Sequence, residues 1–168
     1  MRSIALALAL TLVVAFTVTA CGKEAAPTNT AAGFTCPDKP TESFAKTRFV
    51  ADIGLAVGTF HHWIYKPWKA GKLQKGANHR LWNVGKAAAA GALDAKLVSN
   101  AAKNVKADPA LCSAIGEPLA KLGDMVSNLK SSVMTGDFGK LAEIETATSG
   151  ITGLMASKGA AVTENYQG

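Results

Sequence analysis

This 168-residue sequence lacks the motifs that mark several common classes of enzyme. It contains no G-x-S-x-G, P-loop, G-x-G-x-x-G, H-E-x-x-H or C-x-x-C-H motif, the patterns of common hydrolases, nucleotide-binding proteins, zinc proteases and haem proteins. Charged residues make up 18% of the chain and hydrophobic residues 48%, a balance that argues against wholesale disorder. We therefore predict a folded, non-catalytic chain that uses no cofactor.

Acidic residues are scarce where basic residues accumulate. The chain has 18 Lys and Arg against 12 Asp and Glu, yet no acidic residue occurs between Asp52 and Asp94. Residues 61–86, which we call the basic aromatic segment, hold all the tryptophans and histidines. Tryptophan and tyrosine favour the wet boundary of an apolar phase, and lysine is attracted to anionic surfaces. The cations of this stretch include Lys86, and the candidate binding residues are Lys66, Lys69, Lys72, Lys75, Arg80, Trp63, Tyr65, Trp68 and Trp82.

The composition of this segment predicts a contact with an anionic lipid, an anionic envelope polymer or a protein partner. The net charge of +6 is mild beside that of dedicated nucleic-acid binders, so we expect no nucleic-acid partner. Two other interpretations stay open. The tryptophans are also suited to plug one end of a helical core, with the lysines solvated around them.

The third interpretation is a sensor that binds a small ligand or a metal ion between helices. Neutral imidazole is a good ligand for zinc, copper or nickel, but no carboxylate lies near these histidines in the sequence. We therefore predict no metal here. Rings converging on one cavity would favour the sensor, whereas rings beside surface lysines would favour the anionic contact. The candidate metal ligands are His61, His62 and His79.

The first 20 residues have the three parts of a secretory signal peptide. A positive start, Met1–Ser3, precedes an apolar run, Ile4–Val18, that is shorter than the roughly 20 residues of a membrane-spanning helix. Small residues then lead to Cys21. The sequence Val18-Thr19-Ala20-Cys21 resembles the lipobox of bacterial lipoproteins.

This resemblance implies cleavage before Cys21, a lipid with acyl chains such as palmitate on its sulfur, and attachment to the extracytoplasmic face of the cell membrane. Two acyl chains anchor a protein durably, whereas one chain binds marginally. The alternative is ordinary secretion with a chance cysteine beside the cleavage point. Residues 21–40 have the composition of a flexible tether, and 41–168 that of a helical domain.

The cysteine count predicts one disulfide. The chain has three cysteines, and lipidation of Cys21 leaves only Cys36 and Cys112. In an oxidising compartment such a pair is expected to cross-link. A bridge closing so long a loop is worth about 4 kcal/mol in the chain-entropy treatment.

Apolar residues recur at spacings of three and four along four stretches, which predicts an all-α bundle of about four helices with short connections. We expect the first helix to begin at an N-cap on Thr41. It should end at Tyr65 or Lys66, because Pro67 disfavours helical backbone in the residue before it. The second helix should end before Asp108.

The third helix should have Asp108 as its N-cap and Pro109 as its first residue. We expect a kink near Pro118 and termination at Gly136. Asp137 is the predicted cap of the fourth helix.

Residues 44–71 are also similar to a group of uncharacterised secreted proteins and lipoproteins of actinobacteria, in which K-T-x-F-V and F-H-x-W-I-Y-K-P recur. The similarity implies an alanine-rich, helical, extracytoplasmic protein and brings no activity with it. The matching residues are Lys46, Thr47, Phe49, Val50, Phe60, His61, Trp63, Ile64, Tyr65, Lys66 and Pro67.

Replacing Cys21 tests the predicted anchor. Cys21→Ser removes the sulfur that carries the thioether, so lipid labelling should be abolished and the protein should leave the detergent phase on partitioning. A variant that stays in the membrane fraction to the same extent as the unmodified protein would refute the lipobox assignment.

Overall fold

The computed structural model describes residues 30–31 and 34–164, so the signal peptide, the lipobox with Cys21 and the start of the tether lie outside the described residues. Two short antiparallel strands, β1 (Thr30–Ala31) and β2 (Phe34–Thr35), lie against the helix of Pro109–Ser127. The rest is all-α, as the sequence predicts. The helices are α1 (Ala45–Phe60), a π-helical segment (His61–Tyr65), α2 (Lys66–Lys69), α3 (Arg80–Lys106), α4 (Pro109–Ser127), α5 (Leu129–Thr135) and α6 (Leu141–Ser157).

The first helix differs from the prediction at both ends. It begins at Ala45 after Phe44, whose φ is +62°, while the Thr41 amide donates to the carbonyl of Ala107 at 2.9 Å. At the other end the helical path continues through Pro67 to Lys69. The π-helical segment explains this, because widening the turn before proline relieves the clash between its ring and the preceding carbonyls.

The start of α4 agrees with the prediction: the Asp108 carboxylate accepts a hydrogen bond from the Leu111 amide at 2.9 Å. The helix runs through Pro118, and the interruption falls later, at Asn128. Gly136, with φ +81°, ends α5 as expected. Asp137 accepts from the Gly139 amide, so it caps a turn, and α6 begins only at Leu141.

The long helix α3 is the centre of the bundle, because α1, α4 and α5 all contact it. Half of its ten buried positions are alanine or glycine. A Cβ added at Gly91 would lie 3.1 Å from the backbone nitrogen of Lys130 and 3.2 Å from Cγ of Leu129. A side chain at position 91 would therefore have to displace the backbone of α5 by a few tenths of an ångström where it meets α3.

The predicted disulfide is confirmed: Cys36 is bonded to Cys112, with their Cα atoms 5.5 Å apart. Cys112 is fully buried in α4. The bond therefore fastens the segment before α1 to α4.

One carboxyl group lies inside the core without a partner. Asp94 of α3 is 2% exposed, and neither of its oxygens has a hydrogen-bond partner among the described residues. It borders a cavity of about 20 Å³ whose other lining side chains are apolar apart from Thr148. Burial raises the pKa of Asp94 from 3.8 to about 8, so the folded protein holds this carboxyl as a neutral acid at pH 7.

Asp94 predicts a stability that falls as pH rises. Between pH 3.8 and about 8 the folded state keeps a proton that the unfolded state has lost. One such group costs about 1.4 kcal/mol of stability per pH unit in that range. In denaturant unfolding at pH 5 to 8, Asp94→Asn should flatten this slope, whereas Asp124→Asn, at an exposed position, should leave it unchanged. Equal slopes in all three proteins would contradict the assignment.

Candidate functional site

Three consecutive parts of the fold bring the basic aromatic segment to one end of the bundle. They are the π-helical segment with α2, the connection 70–79, and the first turns of α3. The connection is held in place by Leu73, which is fully buried and whose carbonyl accepts from Nε of Arg80 at 3.2 Å. The lysines around it therefore extend from an ordered loop.

A lysine stacked between two tryptophans is the most specific feature of this end. The Nζ atom of Lys86 lies 4.8 Å from the ring centroids of both Trp63 and Trp82. Trp63 is half-buried, whereas Trp82 is 67% exposed. Cation–π attraction of this kind is worth about 0.5–1 kcal/mol at exposed sites. The contact fixes the π-helical segment against the start of α3.

The other two predicted aromatic residues lie elsewhere. Tyr65 and Trp68 pack against the hydrophobic core, with their ring centroids 5.7 Å apart, and Tyr65 is also 5.8 Å from the ring of Phe60. These rings serve as a plug, in line with one of the open interpretations. Trp63 packs against the same core, and the Nζ atom of Lys69 lies 5.9 Å from the ring centroid of Trp68. Of these four rings, the one that is exposed is Trp82.

The predicted cations differ in their surroundings. Arg80 is half-buried and bonded to the loop backbone, so its role is structural. A cleft of about 430 Å³, which we call the basic cleft, is lined by Trp63 and Lys86 and by two of the predicted cations. No acidic side chain lines this cleft. The four exposed lysines of the group are Lys66, Lys69, Lys72 and Lys75, and Lys66 and Lys72 line the cleft.

The three histidines diverge. The Nε2 atom of His61 lies 2.5 Å from a carboxylate oxygen of Glu145 on α6. Its Nδ1 atom lies 2.9 Å from a carboxylate oxygen of Glu164, in the segment after α6. The His62 ring meets the Trp63 ring edge-on at 4.5 Å, and His79 is exposed with φ +54° before α3. Across residues 30–31 and 34–164, no group of three His, Cys, Asp or Glu residues could hold a metal ion.

Sequence reasoning missed two of these relationships. The partners of His61, Glu145 and Glu164, lie more than 80 positions away, and nothing local indicates them. The position of Lys86 was foreseeable, because Trp82 and Lys86 are spaced four apart on one helix and therefore share a face.

Comparison with protein-family models, with curated proteins and with solved structures finds no match to this chain. Among the helices of the described residues, none is both long and apolar enough to cross a membrane.

Lys86→Met tests the stacked arrangement by keeping the aliphatic stem and removing the charge. We expect altered tryptophan fluorescence and near-ultraviolet circular dichroism, with a stability loss of about 1 kcal/mol or less. The matched control is Lys96→Met, at an exposed position of the same helix outside the segment, which should change neither spectrum. Unchanged spectra for Lys86→Met would show that the rings do not depend on this cation.

Proposed function

We propose that this chain is a lipid-anchored, non-catalytic protein of the extracytoplasmic membrane face, and that its helical domain binds anionic material of the cell envelope through the basic aromatic segment. The observation that carries the proposal is a pair of neighbouring clefts, one lined by Lys66, Lys72 and Lys86, the other by Lys72 and the exposed ring of Trp82. Neither lining contains an acidic side chain. An anionic group entering either cleft would therefore meet cations and no carboxylate in the lining.

The compartment is supported by two independent features. The lipobox-like sequence ending at Cys21 provides the anchor, and the Cys36–Cys112 disulfide is typical of proteins that mature under oxidising conditions. A domain tethered close to the membrane would spend its time near anionic head groups and envelope polymers. Weak electrostatic contacts are then sufficient, because the anchor raises the local concentration.

The alternative sensor function is less well supported by the geometry. A ligand pocket between helices would need the rings and histidines to converge on one cavity. His62 and Trp63 do line one cleft, but His61 pairs with Glu145 and Glu164, and Tyr65 and Trp68 pack against the core. The rings and histidines therefore do not all converge on one cavity.

Replacing the four exposed lysines with glutamine tests the proposal on the chain from residue 22 onward, which keeps every described residue. Each lysine near an anionic surface contributes about 1 kcal/mol, so binding to phosphatidylglycerol vesicles should weaken by at least about tenfold. The helical circular dichroism should stay unchanged, because exposed loop lysines contribute little to stability. The variant is Lys66→Gln, Lys69→Gln, Lys72→Gln and Lys75→Gln.

The matched control removes the same charge elsewhere, at four exposed lysines outside the segment. It should retain most of the binding, and the unmodified protein should bind more weakly as salt screens the charges. Equal losses in the two variants would show that net charge alone matters, and no binding to anionic vesicles at low salt would overturn the proposal. The control positions are Lys96, Lys103, Lys130 and Lys158.

A further inference from the structure

A second groove continues the basic cleft along the bundle. It measures about 460 Å³ and is lined by Leu55 and Trp63 on one side and by Ala89 and Leu93 of α3 on the other. Residue numbers rise along its first wall and fall along α3, so it runs lengthwise from Leu55 and Leu93 to Trp63. We call it the apolar groove. Leu93 is 41% exposed there, so part of this apolar surface faces water.

The apolar groove and the basic cleft share two residues. Trp63 and Lys86 line both, and Lys86 holds its ammonium group against the tryptophan rings at their junction. On one side of the junction the lining is almost entirely hydrocarbon. On the other side Lys66 and Lys72 add two further cations without an acidic residue among them.

A continuous site with an apolar half and a cationic half is complementary to an amphiphile with an anionic head. Hydrocarbon gains about 0.8 kcal/mol for each methylene group taken out of water. A phosphate at the junction would meet the charge of Lys86 and of the two cleft lysines. A sugar polymer or a free phosphate would leave the apolar groove unused, and an uncharged chain would leave the lysines unused.

We propose that this composite site binds one anionic phospholipid, with an acyl chain along the apolar groove and the phosphate in the basic cleft. This inference rests on the proposed function and specifies it, because it names the envelope molecule and its seat on the protein. It differs from surface adsorption in one respect. Adsorption needs only the lysines, whereas the seated lipid also needs the groove between Leu55 and Leu93.

The test uses lysophosphatidylglycerol below its micellar concentration as the probe, followed by tryptophan fluorescence and titration calorimetry on the chain from residue 22 onward. Glycerol 3-phosphate and an uncharged monoacylglycerol supply the head and the chain alone. Each should bind at least tenfold more weakly than the complete lipid. Equal affinity of the lipid and glycerol 3-phosphate would overturn the proposal.

Ala89→Gln places an uncharged polar side chain in the apolar groove at an exposed position, and Ala92→Gln, also exposed on α3 but outside the groove, is its matched control. Ala89→Gln should weaken lysophosphatidylglycerol binding at least tenfold relative to Ala92→Gln. Both variants keep the net charge and should adsorb equally to phosphatidylglycerol vesicles. Equal lipid affinities in the two variants would overturn the proposal that the apolar groove binds the acyl chain, without affecting the proposal of electrostatic adsorption. Failure of the unmodified protein to adsorb to phosphatidylglycerol vesicles would overturn both proposals.

Discussion

The close approach of neighbouring helices to α3 is the constraint on which the rest of this structure depends. Alanine and glycine fill half of its ten buried positions, and at Gly91 a Cβ would press on the backbone of α5. Large buried side chains such as Phe49, Ile115 and Leu119 supply most of the buried apolar area, and the Cys36–Cys112 bond adds to the stability. On its first turns α3 also carries Trp82 and Lys86. The helix α3 thus both packs the core and carries part of the candidate site.

The buried carboxyl group of Asp94 on α3 lowers the stability of the folded protein. Asp94 is surrounded by apolar side chains and lacks a hydrogen-bond partner, so keeping it there has a free-energy cost whether it is ionised or neutral. A neutral carboxyl is the cheaper state, which fits the raised pKa. The bundle tolerates the group because its closely packed helices and its disulfide offset the cost.

Much of the fold could be predicted from the sequence, because helical periodicity is a local signal. The four long helices, the cap at Asp108 and the stop at Gly136 all follow from neighbouring residues. The disulfide followed from cysteine counting and compartment. The errors arose where tertiary contacts decide: Thr41 bonds to the end of α3, and the π-helical turn carries the chain through Pro67.

The candidate site could be predicted in composition but only partly in arrangement. Charge and aromatic clustering pointed to residues 61–86, yet nothing in that stretch separates the rings that face the core from those that face water. Trp63, Tyr65 and Trp68 pack against the core from the π-helical segment and α2, whereas Trp82 on α3 is exposed. The continuation of the basic cleft into the apolar groove involves residues outside the segment, such as Leu55 and Leu93, and depends on how α1 lies along α3.

The central claim is that one preformed end of the bundle meets the anionic envelope. Amide hydrogen exchange of the chain from residue 22 onward, with and without phosphatidylglycerol vesicles, tests it most directly. We expect added protection confined to residues 61–86 and the adjoining turns of α1 and α3, with no effect from phosphatidylcholine vesicles. Protection centred on α4 and α6, or none at all, would contradict the account.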